Sequence, residues 1–237
     1  MPERAMTGVW ANRVRHPGPA IFVACCLVLA VLLWQGLVVT IVPIGGSTAA
    51  DSFPSAGLSF DPNAYVARIW PKQVVPTVRK DSVPLSELLA ALAKGKSAAL
   101  KKYGNEVVNS YNLLVRFSGK VEKIDTSSPM GTMTVDVANG DKTVPVQVAI
   151  GPVILGTTLR DALKFISFGE FLNQIQYGGV SDALNTMVTT RVLTPQQATK
   201  LRGQTARIFG AYTYDGSNAR NITVTPVIVT VEKGTQG

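Results

Sequence analysis

The chain of 237 residues carries 23 lysine and arginine residues against 15 acidic ones, which gives a formal net charge of +8 at pH 7. Its two cysteines, Cys25 and Cys26, and its single histidine, His16, all precede Leu27. The remainder lacks the thiolates and imidazoles that zinc sites, Cys–His pairs and Ser–His–Asp triads need. We therefore expect no cofactor there. Carboxylate pairs, a Ser–Lys dyad or a cation site built from oxygens alone stay open.

An uncharged apolar run at residues 20–44 follows a short arginine-bearing head at residues 1–19. A transmembrane helix needs about 20 mostly apolar residues, whereas the apolar core of a cleavable signal sequence usually has about 7–15. No lysine or arginine follows the run before Arg68, so the positive-inside bias predicts a cytoplasmic N-terminus. We therefore predict a single-pass anchor in the inner (plasma) membrane, with the lipid bilayer as partner and the C-terminal domain in the periplasm or outside the cell.

Two other interpretations of this N-terminal segment stay open. Thr48-Ala49-Ala50 supplies small residues at which a signal peptidase could cut a long signal sequence. Phe22-Val23-Ala24-Cys25 is similar to a lipoprotein acylation box. Acylation at Cys25 would, however, leave most of the apolar run on the mature protein.

Residues 45–58 are rich in glycine, serine and alanine and predict a flexible tether. The tether leads to one extracytoplasmic domain at residues 59–233, with a disordered tail at residues 234–237. The domain is expected to open with a short amphipathic helix that Asp61 caps and Pro71 ends, followed by an extended stretch.

Two further helices are predicted to close at Gly95 and Gly104. Alternating apolar residues then predict a three-stranded meander. Its first strand begins at Tyr111 and bends at Gly119, and the turn Asn139-Gly140-Asp141 joins its second and third strands.

A helical segment follows the meander, and it contains two sequences typical of capping boxes, Thr158-x-x-Asp161 and Ser167-x-x-Glu170. A further helix is predicted from Ser181 to Val188, and Thr194-Pro195 is expected to start another. Strand pattern returns from Thr205 to Tyr214 and again from Ile222 to Val229, where Pro226 marks an edge or a bulge.

This succession of elements predicts an α+β protein. We expect an N-terminal transmembrane helix, an N-terminal helical extension and an OB-like small β-barrel with a helical insertion between its third and fourth strands. A glycine within the first strand of such a barrel permits strong coiling, and Gly119 fits that place. An unrelated β-meander sheet packed by helices is the alternative.

Several sequence blocks together resemble a bacterial family of predicted periplasmic lipoproteins with a domain of unknown function. The blocks are FDPNAYVARIW, VVPTV, KKYG, SGKVEKIDTSSPMGTMTVDV and IGPVILGTTLRDALKFISFGEFLNQIQYG. The resemblance implies an OB-like extracytoplasmic domain, often encoded beside sugar ABC-transporter components. Members usually carry an acylated cysteine just before a segment like Ile41-Val42-Pro43. Val39 and Thr40 stand there in this chain, which favours a retained anchor.

Six residues are candidates for ligand binding: Arg160, Asp161, Asn173, Gln174, Tyr177 and Trp70. Polar amides beside an aromatic ring suit a sugar, because its hydroxyls need fixed polar partners and its C–H face needs apolar cover. Each candidate also has a structural alternative. The amides could cap or bridge loops, the Arg–Asp pair could be a helix cap with a surface ion pair, and the tryptophan could be buried.

The leading functional hypothesis is a non-enzymatic, membrane-anchored periplasmic module. It would bind a small polar ligand or an envelope protein, as an accessory to a sugar ABC uptake system. A carboxylate-dependent glycan hydrolase is the first alternative, and it requires two acidic side chains about 5–10 Å apart in a cleft. Binding of single-stranded nucleic acid is the second. We expect no nucleic-acid partner, because Phe117 is the only ring after Tyr111 in the first three predicted strands.

Overall fold

The computed structural model describes residues 60–214, 216 and 221–232. The expected cytoplasmic head, membrane anchor, tether and disordered tail lie outside these residues. Within the part that the structure describes, no helix combines the length and the apolar character needed to cross a membrane.

Six α-helices lie in the described residues: α1 (Pro62–Ile69), α2 (Val75–Asp81), α3 (Leu85–Tyr103), α4 (Thr158–Ala162), α5 (Gln174–Met187) and α6 (Pro195–Thr199). The same residues form seven strands: β1 (Val83–Pro84), β2 (Gly104–Val107), β3 (Ser110–Asp125), β4 (Thr132–Asn139), β5 (Lys142–Ala149), β6 (Thr205–Tyr214) and β7 (Ile222–Val231). β1 and β2 flank the ring that the other five strands form.

The first helix begins where the sequence predicts it, but the chain stays helical beyond the end predicted at Pro71. The Asp61 carboxylate accepts hydrogen bonds from two backbone N–H groups at the start of α1. After α1, a π-helical turn at Trp70–Val74 leads straight into α2, so the predicted extended stretch is wrong. Pro71 and Pro76 both lie in the first turn of a helical segment, where a missing N–H group costs little.

A break in α3 confirms the two helices predicted after Pro84. Gly95 has extended backbone angles (φ −174°, ψ 92°) inside α3 and divides it into two helical pieces. Gly104 then ends α3 and begins β2, a short strand that the sequence pattern does not reveal.

The five long strands close on themselves. β3 pairs antiparallel with both β4 and β6, and β4 pairs antiparallel with β5. β7 completes the ring because it pairs with both β5 and β6, parallel to the first and antiparallel to the second. With α4 to α6 between β5 and β6, the order of three strands, helices and two strands is the one that the sequence predicts. The register shift beside Pro226 confirms the predicted bulge.

Gly119 marks a close approach between two strands. A Cβ atom added there would lie 2.3 Å from the carbonyl oxygen of Asp136 on β4. The shift in register between β3 and β4 falls slightly later, between Val121 and Lys123. The irregularity predicted at Gly119 is therefore a contact of backbones that only glycine allows, followed by a bulge.

Both faces of the ring carry apolar residues. Successive residues of a strand point to opposite faces, so Leu113 and Val115 enter the inner core, whereas Leu114 enters an outer core. The outer core also contains Ala211 of β6 and apolar side chains of α1, α2, α4 and α5. The helical extension and the helical insertion thus cover the outside of β3 and β6.

The segment before α5 departs from its predicted helical pattern. The sequence places Phe168, Phe171, Leu172 and Ile175 on the buried face of one helix. Only Phe171 is buried, whereas the other three are 48%, 89% and 85% exposed in that order. A 3₁₀-helical turn at residues 168–170 is followed by extended backbone, and α5 begins only afterwards. Helical periodicity therefore does not govern these residues.

The close approach at Gly119 generates a stability prediction. We expect Gly119→Ala to lower the free energy of unfolding by about 1–3 kcal/mol, since a methyl group there forces two strand backbones apart. Urea denaturation measures the difference. Gly178→Ala is the matched control, because nothing lies within 4 Å of a Cβ at Gly178 in α5. Equal stability of the two variants would contradict the close approach.

Candidate functional site

Side-chain amides fix α4 at both ends. The Asn105 side chain on β2 donates a hydrogen bond of 2.8 Å to the carbonyl oxygen of Asp161. The Asn185 side chain on α5 donates one of 3.0 Å to the carbonyl oxygen of Gly156, just before α4. These bonds hold a helix of only five residues against the sheet and against α5.

Arg160 and Asp161 form a buried ion pair on α4, where the sequence indicated a surface pair as the structural alternative. Their side chains are 8% and 7% exposed. Arg160 Nε and Nη2 lie 2.8 and 2.7 Å from Asp161 Oδ1. The Thr157 hydroxyl donates to Asp161 Oδ2 at 2.5 Å. Burial of the two charges is tolerable because each has charged and hydrogen-bonded partners.

Tyr177 of α5 covers a face of the Arg160 guanidinium. The guanidinium carbon lies 3.7 Å from the centroid of the ring, and Nη1 donates to the Tyr177 carbonyl oxygen at 3.2 Å. Burial raises the pKa of the Tyr177 hydroxyl above its ordinary value. The Arg160 charge opposes this rise in pKa, whereas the Asp161 carboxylate adds to it. The hydroxyl is therefore protonated at neutral pH and can donate a hydrogen bond.

A polar cavity of about 430 Å³ lies between α4 and the turn that joins β2 to β3. We call it the hairpin cavity, and its polar lining consists of Ser110, Asn112, Thr157, Thr158, Arg160, Asp161 and Thr213. Three of these side chains form a chain of hydrogen bonds: Thr213 donates to the Asn112 amide oxygen at 2.7 Å, and its hydroxyl lies 2.8 Å from that of Thr158. The cavity thus presents hydroxyl, amide and charged groups in fixed positions.

The turn at the rim of the hairpin cavity has an unusual backbone. Val108 and Asn109 both have positive φ, 45° and 64°, as the central residues of a type I′ turn must. Asparagine tolerates this conformation, whereas a β-branched residue such as valine is strained in it. Val108 is also 88% exposed and lines the cavity. An exposed, strained valine at a cavity rim is a candidate ligand contact.

The six sequence candidates separate into two groups. Arg160 and Asp161 line the hairpin cavity, and Tyr177 stacks on Arg160. The remaining three lie away from the described lining of this cavity. Asn173 caps α5, where its side chain accepts a hydrogen bond of 2.9 Å from the Gln176 N–H group. Gln174 is exposed on the first turn of α5. Trp70 is half-buried against the outer core.

Sequence reasoning missed Asn112, Thr213 and Val108. Asn112 is a buried polar residue in the apolar part of β3, and such a residue is itself a sequence signal for a hydrogen-bonded site. Thr213 gives no such signal, because threonine is common in strands. Only the register of β3 against β6, which pairs Asn112 with Thr213, brings these two side chains together.

The fold is shared with a protein of known structure. A crystal structure of an OB-fold protein from Thermotoga maritima MSB8 matches with a TM-score of 0.62 and 20% sequence identity, over 73% of this chain and 99% of that chain. At this level of identity the similarity establishes the OB fold alone. Comparison with curated proteins gives no significant match.

The sequence also defines the family. Residues 27–230 match the family described as "Predicted periplasmic lipoprotein (DUF2291)". The match spans most of the chain, and the protein belongs to this family. The description implies localisation in the cell envelope, and it confirms the family that the sequence blocks resemble. Proximity to sugar ABC-transporter genes stays a prediction.

The buried ion pair generates a second stability prediction. We expect Asp161→Asn to lower the free energy of unfolding by about 3–5 kcal/mol, because it leaves the Arg160 charge buried without a counter-charge. Urea denaturation followed by circular dichroism measures the loss. Lys120→Gln, which removes an exposed ion pair with Glu122, is the control and should leave stability nearly unchanged, because water screens an exposed pair. A similar small effect at Asp161 would contradict the burial of the pair.

Proposed function

We propose that the protein is a non-enzymatic binding module of the periplasm, tethered to the membrane, and that it holds a small polyhydroxylated ligand in the hairpin cavity. The observation that carries the proposal is the polar lining of this cavity around the buried Arg160–Asp161 pair. Its volume of about 430 Å³ lies within the range of small-molecule sites, roughly 300–1,000 Å³.

The lining favours a neutral ligand with many hydroxyl groups, such as a sugar. Hydroxyl groups both donate and accept hydrogen bonds. Thr158, Thr213 and Asn112 can therefore bind the hydroxyl groups of a ligand as donors or as acceptors. The charge of Arg160 is already balanced by Asp161 at 2.7 Å, and therefore no ionic group is required of the ligand. The exposed side chain of Val108 offers apolar cover to a C–H face.

The carboxylates in the cavities give no support to a glycan hydrolase. Among the described residues, Asp161 is the only carboxylate that lines the hairpin cavity, and both of its oxygens already accept hydrogen bonds. In an adjoining cavity, which shares Asn112, Asp81 is the one carboxylate among the described lining residues. A hydrolase of the expected kind needs two carboxylates across one cleft, so a binding role is the better proposal.

The outer surface of the ring gives no support to nucleic-acid binding. OB folds bind oligonucleotides on the face of their second and third strands, which correspond here to β4 and β5. Neither β4 nor β5 contains an aromatic residue. Single-stranded nucleic acids bind largely by stacking their bases on aromatic rings, so we propose no nucleic-acid partner.

The membrane anchor and the transporter partner complete the proposal. The anchor is supported by the apolar run at residues 20–44 and the arginines before it, and the envelope location by the family. A sugar ABC uptake system is the proposed partner. Its support is the resemblance of the sequence blocks together with a cavity suited to a sugar.

The hairpin cavity can be tested with a panel of neutral pentoses and hexoses. We expect saturable binding of at least one sugar by isothermal titration calorimetry. Thr213→Val should weaken it about fivefold, because it removes a hydroxyl from the lining. Val108→Asn should also weaken binding while raising the free energy of unfolding by about 1 kcal/mol, since asparagine relieves the strained turn.

The control for the sugar titrations is Thr143→Val, an equal change at an exposed position of β5. It should leave sugar affinity unchanged. Absence of binding to the whole panel, or an equal loss in Thr143→Val, would refute the sugar site. Because Val108→Asn is expected to be more stable, a loss of binding there cannot be ascribed to unfolding.

The orientation across the membrane can be tested by protease treatment of spheroplasts. We expect the C-terminal domain to be digested in intact spheroplasts, because the positive-inside bias places it outside. Chemical cross-linking in the same membranes should recover a permease or solute-binding subunit of a sugar transporter. Protection of the domain from protease, or recovery of intact protein from the cytosol, would reject the proposed location.

A further inference from the structure

A second cavity, separate from the hairpin cavity, is lined by three arginines. It has a volume of about 540 Å³, and the arginines are Arg79, Arg116 and Arg207. We call it the arginine cavity. None of the described residues lines both this cavity and the hairpin cavity.

The register of β3 against β6 places two of these arginines on one face of the ring. Arg116 pairs with Phe209, and Ser118 pairs with Arg207. The residues between them, Phe117 and Ile208, belong to the inner core. Arg116 and Arg207 therefore project outward. Arg79 at the end of α2 reaches the same cavity from the helical layer.

The arginine cavity carries more positive than negative charge. Glu232 lies 2.8 Å from Arg207 Nη2 and accepts a hydrogen bond of 3.0 Å from Ser118. Arg116 is held by the carbonyl oxygen of Ser82, a neutral acceptor. Among the described residues, no carboxylate forms an ion pair with Arg79 or Arg116. Two guanidinium groups without a counter-charge thus face one cavity.

The other walls fit an anion that carries an organic group. Ser86 and Ser118 supply hydroxyl groups, and the start of α3 lies in the wall, where the partial positive charge of a helix N-terminus adds to that of the arginines. Pro84 and Phe209, both partly exposed, supply apolar surface. Guanidinium groups bind the oxygens of phosphate in pairs, with charge-assisted hydrogen bonds.

We propose that the arginine cavity binds a phosphate-bearing ligand through Arg79, Arg116 and Arg207. The phosphate could belong to a soluble phosphate ester or to the headgroup of an anionic phospholipid, since both present the same oxygens. The site does not depend on sugar binding in the hairpin cavity, because no described residue belongs to both linings.

Inorganic phosphate is the probe for this site. We expect the full chain, in nanodiscs of phosphatidylcholine at low ionic strength, to bind phosphate saturably in isothermal titration calorimetry. Arg79→Gln should weaken the affinity about tenfold, which is the effect of losing one charge-assisted hydrogen-bond donor. Arg79 is exposed and outside both cores, so this variant should fold normally. Arg79→Gln combined with Arg116→Gln should weaken binding further.

Arg191→Gln is the matched control, because it removes the same charge from an exposed position outside the arginine cavity. It should leave phosphate affinity within about twofold. The absence of saturable binding by the unaltered chain, or an equal loss in Arg191→Gln and Arg79→Gln, would overturn the proposal. Sugar titrations of the same variants should be unchanged, so failure here is distinguishable from failure of the hairpin cavity.

Nanodiscs that contain phosphatidylglycerol distinguish the two sources of phosphate. If a headgroup of the surrounding bilayer fills the cavity, free phosphate must compete with it, and its apparent affinity falls relative to phosphatidylcholine nanodiscs. If the ligand is soluble, the affinity of the unaltered chain is the same in both bilayers. Both results support the phosphate site and assign its ligand.

Discussion

The burial of β3 on both faces is the constraint on which the rest of the structure depends. This strand closes the ring by pairing with both β4 and β6, and it also pairs with the short strands β1 and β2. Its side chains alternate between the inner core and the outer core. A strand covered on both sides needs apolar residues at successive positions, as Leu113, Leu114 and Val115 provide. The helical layer is therefore required to keep the outward-facing residues from water.

The outer core explains why the polar groups of α4 are so thoroughly paired. α4 lies within this apolar layer, where an unpaired charge or amide would cost several kcal/mol. Arg160, Asp161 and Thr157 satisfy one another, and Asn105 and Asn185 satisfy the backbone at either end of α4. Such a network is rigid because each member depends on the next. Its rigidity is what allows the adjoining cavity to hold polar groups in fixed positions.

The two proposed sites differ in their charge balance. In the hairpin cavity an internal carboxylate neutralises the arginine, so hydroxyl and amide groups decide which ligands fit. In the arginine cavity, Arg79 and Arg116 have no carboxylate partner among the described residues, so an anion is the complementary ligand. Both sites use outward-facing residues of β3 and β6, Asn112 and Thr213 at one end and Arg116 and Arg207 nearer the other.

The sequence by itself determined the order of the five long strands, the position of the helical insertion among them and the apolar run ahead of the domain, because these depend on local periodicity and residue type. The sequence also singled out Arg160, Asp161 and Tyr177 as candidates. It failed between α4 and α5, where an extended stretch interrupts the helix and leaves Leu172 and Ile175 exposed. Only the tertiary structure decided that Asn112 meets Thr213 and that three arginines share a cavity. These contacts join residues far apart in the chain, and strand register and helix packing, which no local pattern encodes, bring them together.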